Sequence, residues 1–238
     1  MKTSLKGKKA LVTGGTRGIG RAIADALAAA GVAVAICGRN QEQTAKAAEE
    51  ISAKTNSKAI GKRADVSSSK EVSELFEYVD EQFGALDILV NNAGVGIFRS
   101  VADLTVEDWA GTLETNLNGV FYCSREAVKR MKAAGGGAIV NISSLAGKNP
   151  FAGGAAYNAS KFALNGFSEA MMLDHRNDNI RVTCIMPGSV DTGFSSGREG
   201  ASWKMAAEDV AEVVIDVLSM PERTLVSRVE MRPSKPQK

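Results

Sequence analysis

Two side chains capable of proton transfer stand four residues apart in the second half of the chain. Tyr157 and Lys161 bound the segment Tyr157-Asn158-Ala159-Ser160-Lys161, which continues into a helical pattern of apolar residues. A spacing of four places both on one helix face, about 6 Å apart along the axis. A phenol, with a reference pKa of roughly 10, becomes a useful acid or base only when a nearby cation favours the phenolate. We expect Lys161 to lower the pKa of Tyr157, although most such pairs are ordinary surface neighbours.

Polar segments follow three apolar strand candidates, at the point where each strand would end. They are Ser143-Ser144 after 138–142, Asn91-Asn92-Ala93-Gly94 after 86–90, and Pro187-Gly188-Ser189-Val190-Asp191-Thr192 after 181–186. Carboxyl ends of parallel strands meet at one edge of a sheet, and the sites of open α/β sheets lie just outside it. We therefore expect these segments to surround the Tyr157–Lys161 pair.

A glycine-rich turn follows the first strand candidate and precedes an alanine-rich helix. It reads Thr13-Gly14-Gly15-Thr16-Arg17-Gly18-Ile19-Gly20. Glycine permits positive φ and lets the backbone approach a pyrophosphate at the helix N-terminus. The spacing G-x-x-x-G-x-G differs from the generic dinucleotide fingerprint, and no Gly-Lys-Ser/Thr follows to make it a P-loop. A dinucleotide site is the favoured interpretation, with a merely tight turn as the alternative.

The end of the second strand candidate bears on the choice of dinucleotide. A carboxylate there would bind a ribose diol and favour NAD, but this position holds Gly38, followed by Arg39. Arg39, together with Arg17 from the glycine turn, is suited to clamp a 2′-phosphate. The pattern predicts NADP(H); the alternative is two solvated surface arginines.

The elements that must position these residues alternate along the chain. Short apolar runs separate longer amphipathic stretches, which is typical of βα units around a parallel sheet. The predicted strands are 9–13, 32–37, 58–63, 86–90, 138–142, 181–186 and 226–231, and a long helix is predicted over 106–134. The predicted fold is α/β: one Rossmann-type, doubly wound sheet of seven mainly parallel strands flanked by helices on both faces. We assign it to residues 1–232, with a loose C-terminal tail at 233–238.

Composition excludes several classes of protein. The 238 residues carry a formal charge of +2 without blocks of like charge, which disfavours nucleic-acid and membrane-surface binding. Cys37, Cys123 and Cys184 stand far apart in apolar sequence, so we predict buried thiols rather than disulfides or a zinc site. No apolar run reaches signal-peptide or membrane-spanning length, which predicts a soluble cytoplasmic protein.

Taken in order, these motifs resemble the short-chain dehydrogenase/reductase family over essentially the whole chain. The matching features are the T-G-x-x-x-G-I-G turn at 13–20, N-N-A-G at 91–94, Asn116 within Thr115-Asn116-Leu117-Asn118-Gly119, a serine, Y-x-x-x-K and the Pro187-Gly188 turn. The resemblance implies an enzyme acting on CH–OH groups by hydride transfer, with no metal. It also implies pairing through the helices at 106–134 and 155–175 into a homodimer or homotetramer.

The resemblance also assigns roles. The serine lies thirteen residues before the tyrosine, which selects Ser144 over Ser143. Ser144 would bind the substrate carbonyl oxygen, Tyr157 would protonate it, Lys161 would lower the tyrosine pKa and hold the nicotinamide ribose, and Asn116 would bind a water of the proton relay. The expected cofactor residues are Gly14, Thr16, Arg17, Gly18, Ile19, Gly20, Arg39, Asp65, Val66, Asn92, Ala93, Gly94, Tyr157, Lys161, Pro187, Gly188, Val190 and Thr192.

Substrate choice is expected to depend on segments covering the nicotinamide, namely 95–99, 145–156 and a glycine-bearing flap at 193–204. Four aromatic residues of these segments, Phe98, Phe151, Phe194 and Trp203, would wall an apolar pocket or simply pack in their loops. The C-terminus, Val226-Ser227-Arg228-Val229-Glu230-Met231-Arg232-Pro233, lacks the glycine-rich ending usual in 3-oxoacyl-carrier-protein reductases. It is more similar to the branch that reduces short 3-oxo acids and assorted ketones. The carrier-protein reductase remains the alternative, and a dinucleotide sensor without activity is a further one.

Overall fold

Seven strands form the central sheet of the computed structural model, which describes residues 2–194 and 200–236. They are β1 (Lys9–Thr13), β2 (Ala33–Gly38), β3 (Ala59–Arg63), β4 (Ile88–Asn91), β5 (Gly137–Ile142), β6 (Ile180–Pro187) and β7 (Arg228–Met231). Their order is β3-β2-β1-β4-β5-β6-β7, and each neighbouring pair is parallel. The predicted Rossmann-type doubly wound sheet is confirmed. From β1 to β3 the strands are added towards one edge of the sheet, and from β4 to β7 towards the other. The point between β1 and β4 where this order reverses is where open sheets bind ligands.

Helices cover both faces of this sheet. They are α1 (Gly18–Ala29), α2 (Gln41–Thr55), α3 (Ser69–Phe83), α4 (Val106–Leu113), α5 (Gly119–Ala134), α6 (Ala155–His175) and α7 (Ala207–Leu218). Side-chain caps fix several starts: Asn40 accepts from the Gln43 amide at 2.9 Å and Thr105 from the Asp108 amide at 3.0 Å. None of the described helices is long and apolar enough to cross a membrane.

The alternation of side chains along the strands produces two cores. Val12 of β1 packs on one face against α1, α2 and α7, whereas Leu11 faces α3, α5 and α6. The strands are apolar on both sides because both faces are covered, as expected of a parallel sheet. All three cysteines are buried free thiols, as predicted.

The predicted helix over 106–134 is wrong in one respect. The helical path is continuous, but a π-helical turn at Glu114–Asn118 separates α4 from α5. Such a turn inserts an extra residue into the ladder of backbone hydrogen bonds, and periodicity alone does not reveal it. Asn116 lies in this turn and is fully buried. Strand ends differ from the predictions by one or two residues, as element boundaries commonly do.

Candidate active site

The glycine turn between β1 and α1 is packed too closely for side chains. Gly14 has φ of 65°, and a Cβ on Gly20 would lie 2.3 Å from both the Gly14 carbonyl oxygen and the Asn92 Nδ2. The Asn92 amide donates to the carbonyl oxygens of Thr13 at 3.0 Å and Gly14 at 3.1 Å. The end of β4 thus holds the turn in place, and the first backbone amides of α1 are left to meet an anion.

A cleft of about 420 Å³ lies along the carboxyl edge of the sheet, at the switch point between β1 and β4. We call it the strand-edge cleft. Fourteen of the eighteen predicted cofactor residues line it: Gly14, Thr16, Arg17, Gly18, Ile19, Arg39, Asp65, Val66, Asn92, Ala93, Gly94, Tyr157, Lys161 and Thr192. Gly20 lies beneath the turn instead, where its missing side chain makes room for Asn92.

A second cavity of about 530 Å³ adjoins the first and is lined largely by loop side chains. We call it the aromatic pocket. Phe98, Phe151, Phe194 and Trp203 all line it, as does Ser144. The other three predicted cofactor residues, Pro187, Gly188 and Val190, lie on its wall rather than in the strand-edge cleft. Tyr157 lines both cavities, so its ring forms part of the boundary between them.

The two adjacent serines face different partners. The Ser143 hydroxyl donates to Asn165 Oδ1 at 2.6 Å inside the protein. The Ser144 hydroxyl lies near the Pro187 carbonyl oxygen at 3.4 Å and accepts from the Ala146 amide at 3.1 Å. Only Ser143 has a strong buried partner for its proton, so Ser144 is the serine available to a ligand in the aromatic pocket.

Lys161 is buried and lies behind the tyrosine ring. Its Nζ is 5.7 Å from the centroid of the Tyr157 ring and donates to the Ile142 carbonyl oxygen at 3.0 Å. The helix spacing therefore brings the two side chains together as predicted. The carbonyl at the end of β5 holds the amine beside the strand-edge cleft.

Within the described residues, Asn116 is hydrogen-bonded to Val95 and Ser160 and not to Lys161. Its Nδ2 donates to the Val95 carbonyl oxygen at 2.9 Å and to Ser160 Oγ at 3.0 Å, and its Oδ1 accepts from the Val95 amide at 2.8 Å. Ser160 in turn donates to the Tyr157 carbonyl oxygen at 2.8 Å. The π-helical turn is thus tied to the loop after β4 and to α6. In the described part of the chain Oδ1 accepts this single hydrogen bond from the Val95 amide, so its second lone pair is open to a further donor.

Comparison with known proteins decides the family. The family described as short chain dehydrogenase matches residues 8–201. The chain belongs to the short-chain dehydrogenase family.

Individual relatives carry different activities on this scaffold. A 3β-hydroxysteroid dehydrogenase of Mediterraneibacter gnavus is 38% identical over 218 residues, covering 91% of this chain and 78% of the relative. A 3-oxoacyl-(acyl-carrier-protein) reductase of Chlamydia muridarum is 38% identical over 197 residues, covering 83% and 79%. The structure of an alcohol dehydrogenase from the archaeon Thermococcus sibiricus, complexed with 5-hydroxy-NADP, has a TM-score of 0.91 at 29% identity. The matched region covers 97% of this chain and 99% of the Thermococcus sibiricus chain.

The strand-edge cleft of this short-chain dehydrogenase fits a dinucleotide. A glycine cradle that excludes side chains meets the α1 N-terminus at one point of the cleft. Arg17 and Arg39 both line the cleft and are exposed, and neither has an ion-pair partner among residues 2–194 and 200–236. β2 ends in Gly38, which has no side chain and lines the same cleft.

Burial has the largest influence on the pKa values of Tyr157 and Lys161 in this short-chain dehydrogenase. Burial raises the pKa of the Tyr157 phenol, and the Ser144 hydroxyl opposes this effect only in part. Burial also lowers the pKa of Lys161 to about 8. Among the protein groups alone the phenol therefore has a raised pKa, and the expected lowering by Lys161 stays a prediction for the site with its cofactor.

Several lining residues of the strand-edge cleft were not among the predicted cofactor residues. They are Cys37, Gly38, Asn40, Gln43, Ala64, Val95, Thr115, Ile142, Ser143 and Phe194. Most stand next to a predicted residue and contribute backbone or small apolar surface, for which residue type gives no signal. Asn40 and Gln43 form the N-terminal cap of α2, so their residue types indicate a helix start rather than a ligand site. Of the predicted flap at 193–204, residues 195–199 lie outside the described residues.

Proposed function

We propose that this short-chain dehydrogenase is an NADPH-dependent carbonyl reductase, interconverting a ketone or aldehyde and its alcohol. The observation that carries the proposal is the place of Tyr157, whose ring lines both cavities. Lys161 lies on the side of the strand-edge cleft and Ser144 on the side of the aromatic pocket. A proton donor between a dinucleotide-sized cleft and an apolar pocket suits hydride transfer to a bound carbonyl.

Each residue of the site has a distinct role in the proposed reaction. The residues that line the strand-edge cleft would hold NADPH, which would supply the hydride when bound. Ser144 donates a hydrogen bond to the carbonyl oxygen, where negative charge develops. Tyr157 transfers its proton to that oxygen, completing the alcohol, and takes it back in the oxidative direction. Lys161 then stabilises the phenolate as a cation, while Asn116 holds the loop and helix that carry the proton path.

Two features favour NADP(H) over NAD(H). Arg17 and Arg39 line the cleft near the end of β2, and Gly38 occupies the position where a carboxylate would bind a ribose diol. A guanidinium pair matches the geometry and charge of a 2′-phosphate. The solved relative from Thermococcus sibiricus, complexed with an NADP derivative, supports this assignment.

Replacing the proton donor tests the mechanism. Tyr157→Phe removes only the hydroxyl, and we expect NADPH oxidation with any accepted ketone to fall at least about 1,000-fold, within the range ascribed to positioned acid–base groups. NADPH binding, followed by fluorescence titration, should change little. Tyr78→Phe on α3 is the matched control and should retain full activity. Turnover of Tyr157→Phe at the wild-type rate would refute the assignment.

Two other functions are kept as alternatives. The carrier-protein reductase of Chlamydia muridarum is 38% identical, which favours 3-oxoacyl thioesters as a second substrate class. A screen of β-keto esters, 3-oxoacyl thioesters, diketones and sugars for NADPH depletion separates these classes. A sensor that only binds the dinucleotide would give NADPH binding without depletion by any of them.

Assembly into a homodimer or homotetramer is part of the proposal. Large apolar side chains remain exposed on α4, α5 and α6, among them Trp109 at 41%, Phe121 at 45% and Phe162 at 46%. Exposed apolar patches commonly mark protein–protein contacts. Light scattering coupled to size-exclusion chromatography measures the mass directly, and a monomer at micromolar concentration would contradict it.

A further inference from the structure

Aromatic rings surround the proton donor on the side of the aromatic pocket. The centroid of the Tyr157 ring is 5.6 Å from that of Phe98, 6.4 Å from Phe151 and 6.0 Å from Phe194. Phe98 and Phe151 are in turn 5.7 Å apart. The rings are inclined at 47° to 71° to one another, so they form a walled corner around the hydroxyl rather than a stack.

These rings are more exposed than internal packing requires. Phe98, Phe151 and Phe194 are 37%, 45% and 46% exposed. Their free faces open on a cavity of about 530 Å³, within the range that holds drug-sized ligands. A flat ring system next to the carbonyl would bury the faces of these side chains against its own. The wall therefore favours a ketone with a ring body over a short aliphatic one.

Apart from the aromatic rings, the described lining of the aromatic pocket includes positively charged side chains. Lys204 and Arg232 are its charged lining residues, and no aspartate or glutamate joins them in the portion of the chain that the structure describes. The Lys204 Nζ lies 6.0 Å from the Trp203 ring centroid and has no carboxylate partner within residues 2–194 and 200–236.

Arg232 adds to this charge despite being paired. It donates to Glu230 at 3.2 Å, and Lys148 binds the same carboxylate at 2.6 Å. Two cations share one anion, so the group retains a net charge of +1. The two pocket cations come from different parts of the chain, because Lys204 lies before α7 and Arg232 directly after β7.

We propose that the substrate of this site is a ring-bearing ketone that also carries a carboxylate. This inference rests on the proposed function and specifies its substrate class. The carbonyl meets Ser144 and Tyr157, the ring system packs against Phe98 and Phe151, and the carboxylate binds Lys204 with support from Arg232. Charge-assisted hydrogen bonds of this kind are the strong ones, and they also orient the ligand.

The cofactor does not account for these cations. Lys204 and Arg232 line the aromatic pocket and not the strand-edge cleft, whereas Arg17 and Arg39 line the cleft and not the pocket. The molecule thus has two separate sets of basic side chains. One set is placed for a dinucleotide phosphate, and the other is placed for an anion on the substrate.

Pairs of ketones that differ only in charge test the proposal. The probes are 4-acetylbenzoate and 4′-acetylbiphenyl-4-carboxylate, each against its methyl ester, with 7-oxooctanoate as an acyclic oxo acid. We expect at least one aromatic acid to exceed its ester and the acyclic acid about tenfold in kcat/KM, and this preference to shrink at high salt. Lys204→Gln should abolish the preference and Arg232→Gln should reduce it. Lys70→Gln, which removes a lysine exposed on α3, is the control and should leave it unchanged.

The outcomes separate this inference from the proposed function. Equal kcat/KM for acid and ester, or a preference that survives in both Lys204→Gln and Arg232→Gln, overturns it. A raised KM for NADPH in Lys204→Gln, seen equally with the esters, would assign that lysine to the cofactor and also overturns it. If no ketone oxidises NADPH, the proposed function fails. Calorimetry with the biphenyl acid then still decides whether binding depends on Lys204.

Discussion

The two cavities that meet at Tyr157 are built from different parts of the chain. The strand-edge cleft is formed by strand ends, a glycine turn and the N-terminus of α1, so backbone atoms define much of its surface. The aromatic pocket is formed by side chains on the loops after β4, β5 and β6 and on the segment after β7. The cleft therefore tolerates few changes, whereas the pocket can change its ligand by exchanging loop residues on a fixed sheet.

The largest effect is expected when a methyl group is added to the glycine turn, which tests whether backbone atoms define the strand-edge cleft. In Gly20→Ala the new Cβ would lie 2.3 Å from the Gly14 carbonyl oxygen and from the Asn92 Nδ2. Asn92 uses that nitrogen to hold the turn, so turn and strand end must move apart. We expect NADPH affinity to fall by at least about 3 kcal/mol, or roughly 150-fold, as measured by fluorescence titration.

Gly166→Ala provides the control for that variant. Gly166 lies in the interior of α6, and among the described residues an added Cβ would meet nothing within 4 Å apart from the adjacent backbone of the helix itself. Its replacement should stabilise the fold by about 0.5–1 kcal/mol and leave NADPH binding unchanged. If Gly20→Ala binds NADPH as tightly as Gly166→Ala, the backbone does not define the cleft.

Lys161 is buried at the boundary between the two cavities. We expect its positive charge there to lower the free energy of unfolding of the protein. Its pKa in the fold is about 8, against 10.5 for an exposed lysine. Between these values the unfolded chain binds more protons than the folded one, so stability rises with pH. The buried cation costs about 3 kcal/mol below pH 8, and this cost disappears as pH rises through 8 towards 10.5.

Lys161→Met removes the titrating group and isolates this contribution. The difference in free energy of unfolding between the variant and the wild type should shrink by about 3 kcal/mol from pH 7 to pH 10.5, measured by urea denaturation. Other titrating groups cancel in the difference. The variant should also lose ketone reduction. If the free energies of unfolding of the variant and the wild type changed in parallel with pH, the amine would not be buried in its charged form.

The difference between the strand-edge cleft and the aromatic pocket also explains which features could be predicted from the sequence. The glycine turn, the N-N-A-G segment and the Y-x-x-x-K spacing each belong to one local element, and the parallel sheet brings their ends together. Asn116 was identified, but the π-helical turn that holds it was not, since one extra residue hardly alters the apolar pattern. The raised pKa of Tyr157 was also missed, because desolvation depends on rings from three separate loops. Lys204 and Arg232 are 28 residues apart in the sequence and carry no motif at all.

A charge reversal at the far end of the strand-edge cleft should have a smaller effect than the loss of the turn. Arg39→Asp places a carboxylate beside the position proposed for the 2′-phosphate. We expect NADPH to bind about 30-fold more weakly, a loss of about 2 kcal/mol, with NADH affected little or improved. Arg223→Asp, an equal change in charge away from both cavities, should not alter the ratio. Equal weakening of both dinucleotides would leave the cofactor preference without support from Arg39.

The smallest effect is expected in the aromatic pocket, at a residue that acts through its neighbour. Asn158 Nδ2 donates to the Phe151 carbonyl oxygen at 2.9 Å, and its buried Oδ1 has no partner in the described structure. Asn158→Ala should free the Phe151 loop and raise KM for an aryl ketone about fivefold, with kcat nearly constant, since one hydrogen bond contributes about 1 kcal/mol.

Two comparisons separate this positioning role from a general disturbance of α6. Butanone, which is too small to reach Phe151, should keep its KM in Asn158→Ala. Phe151→Ala should raise KM for the aryl ketone, and the double variant should add little further, because both changes remove the same contact. A fall in kcat with every ketone would instead mean that Asn158 supports Tyr157 itself. The pocket would then share the rigidity of the cleft, and the contrast between the two cavities would be lost.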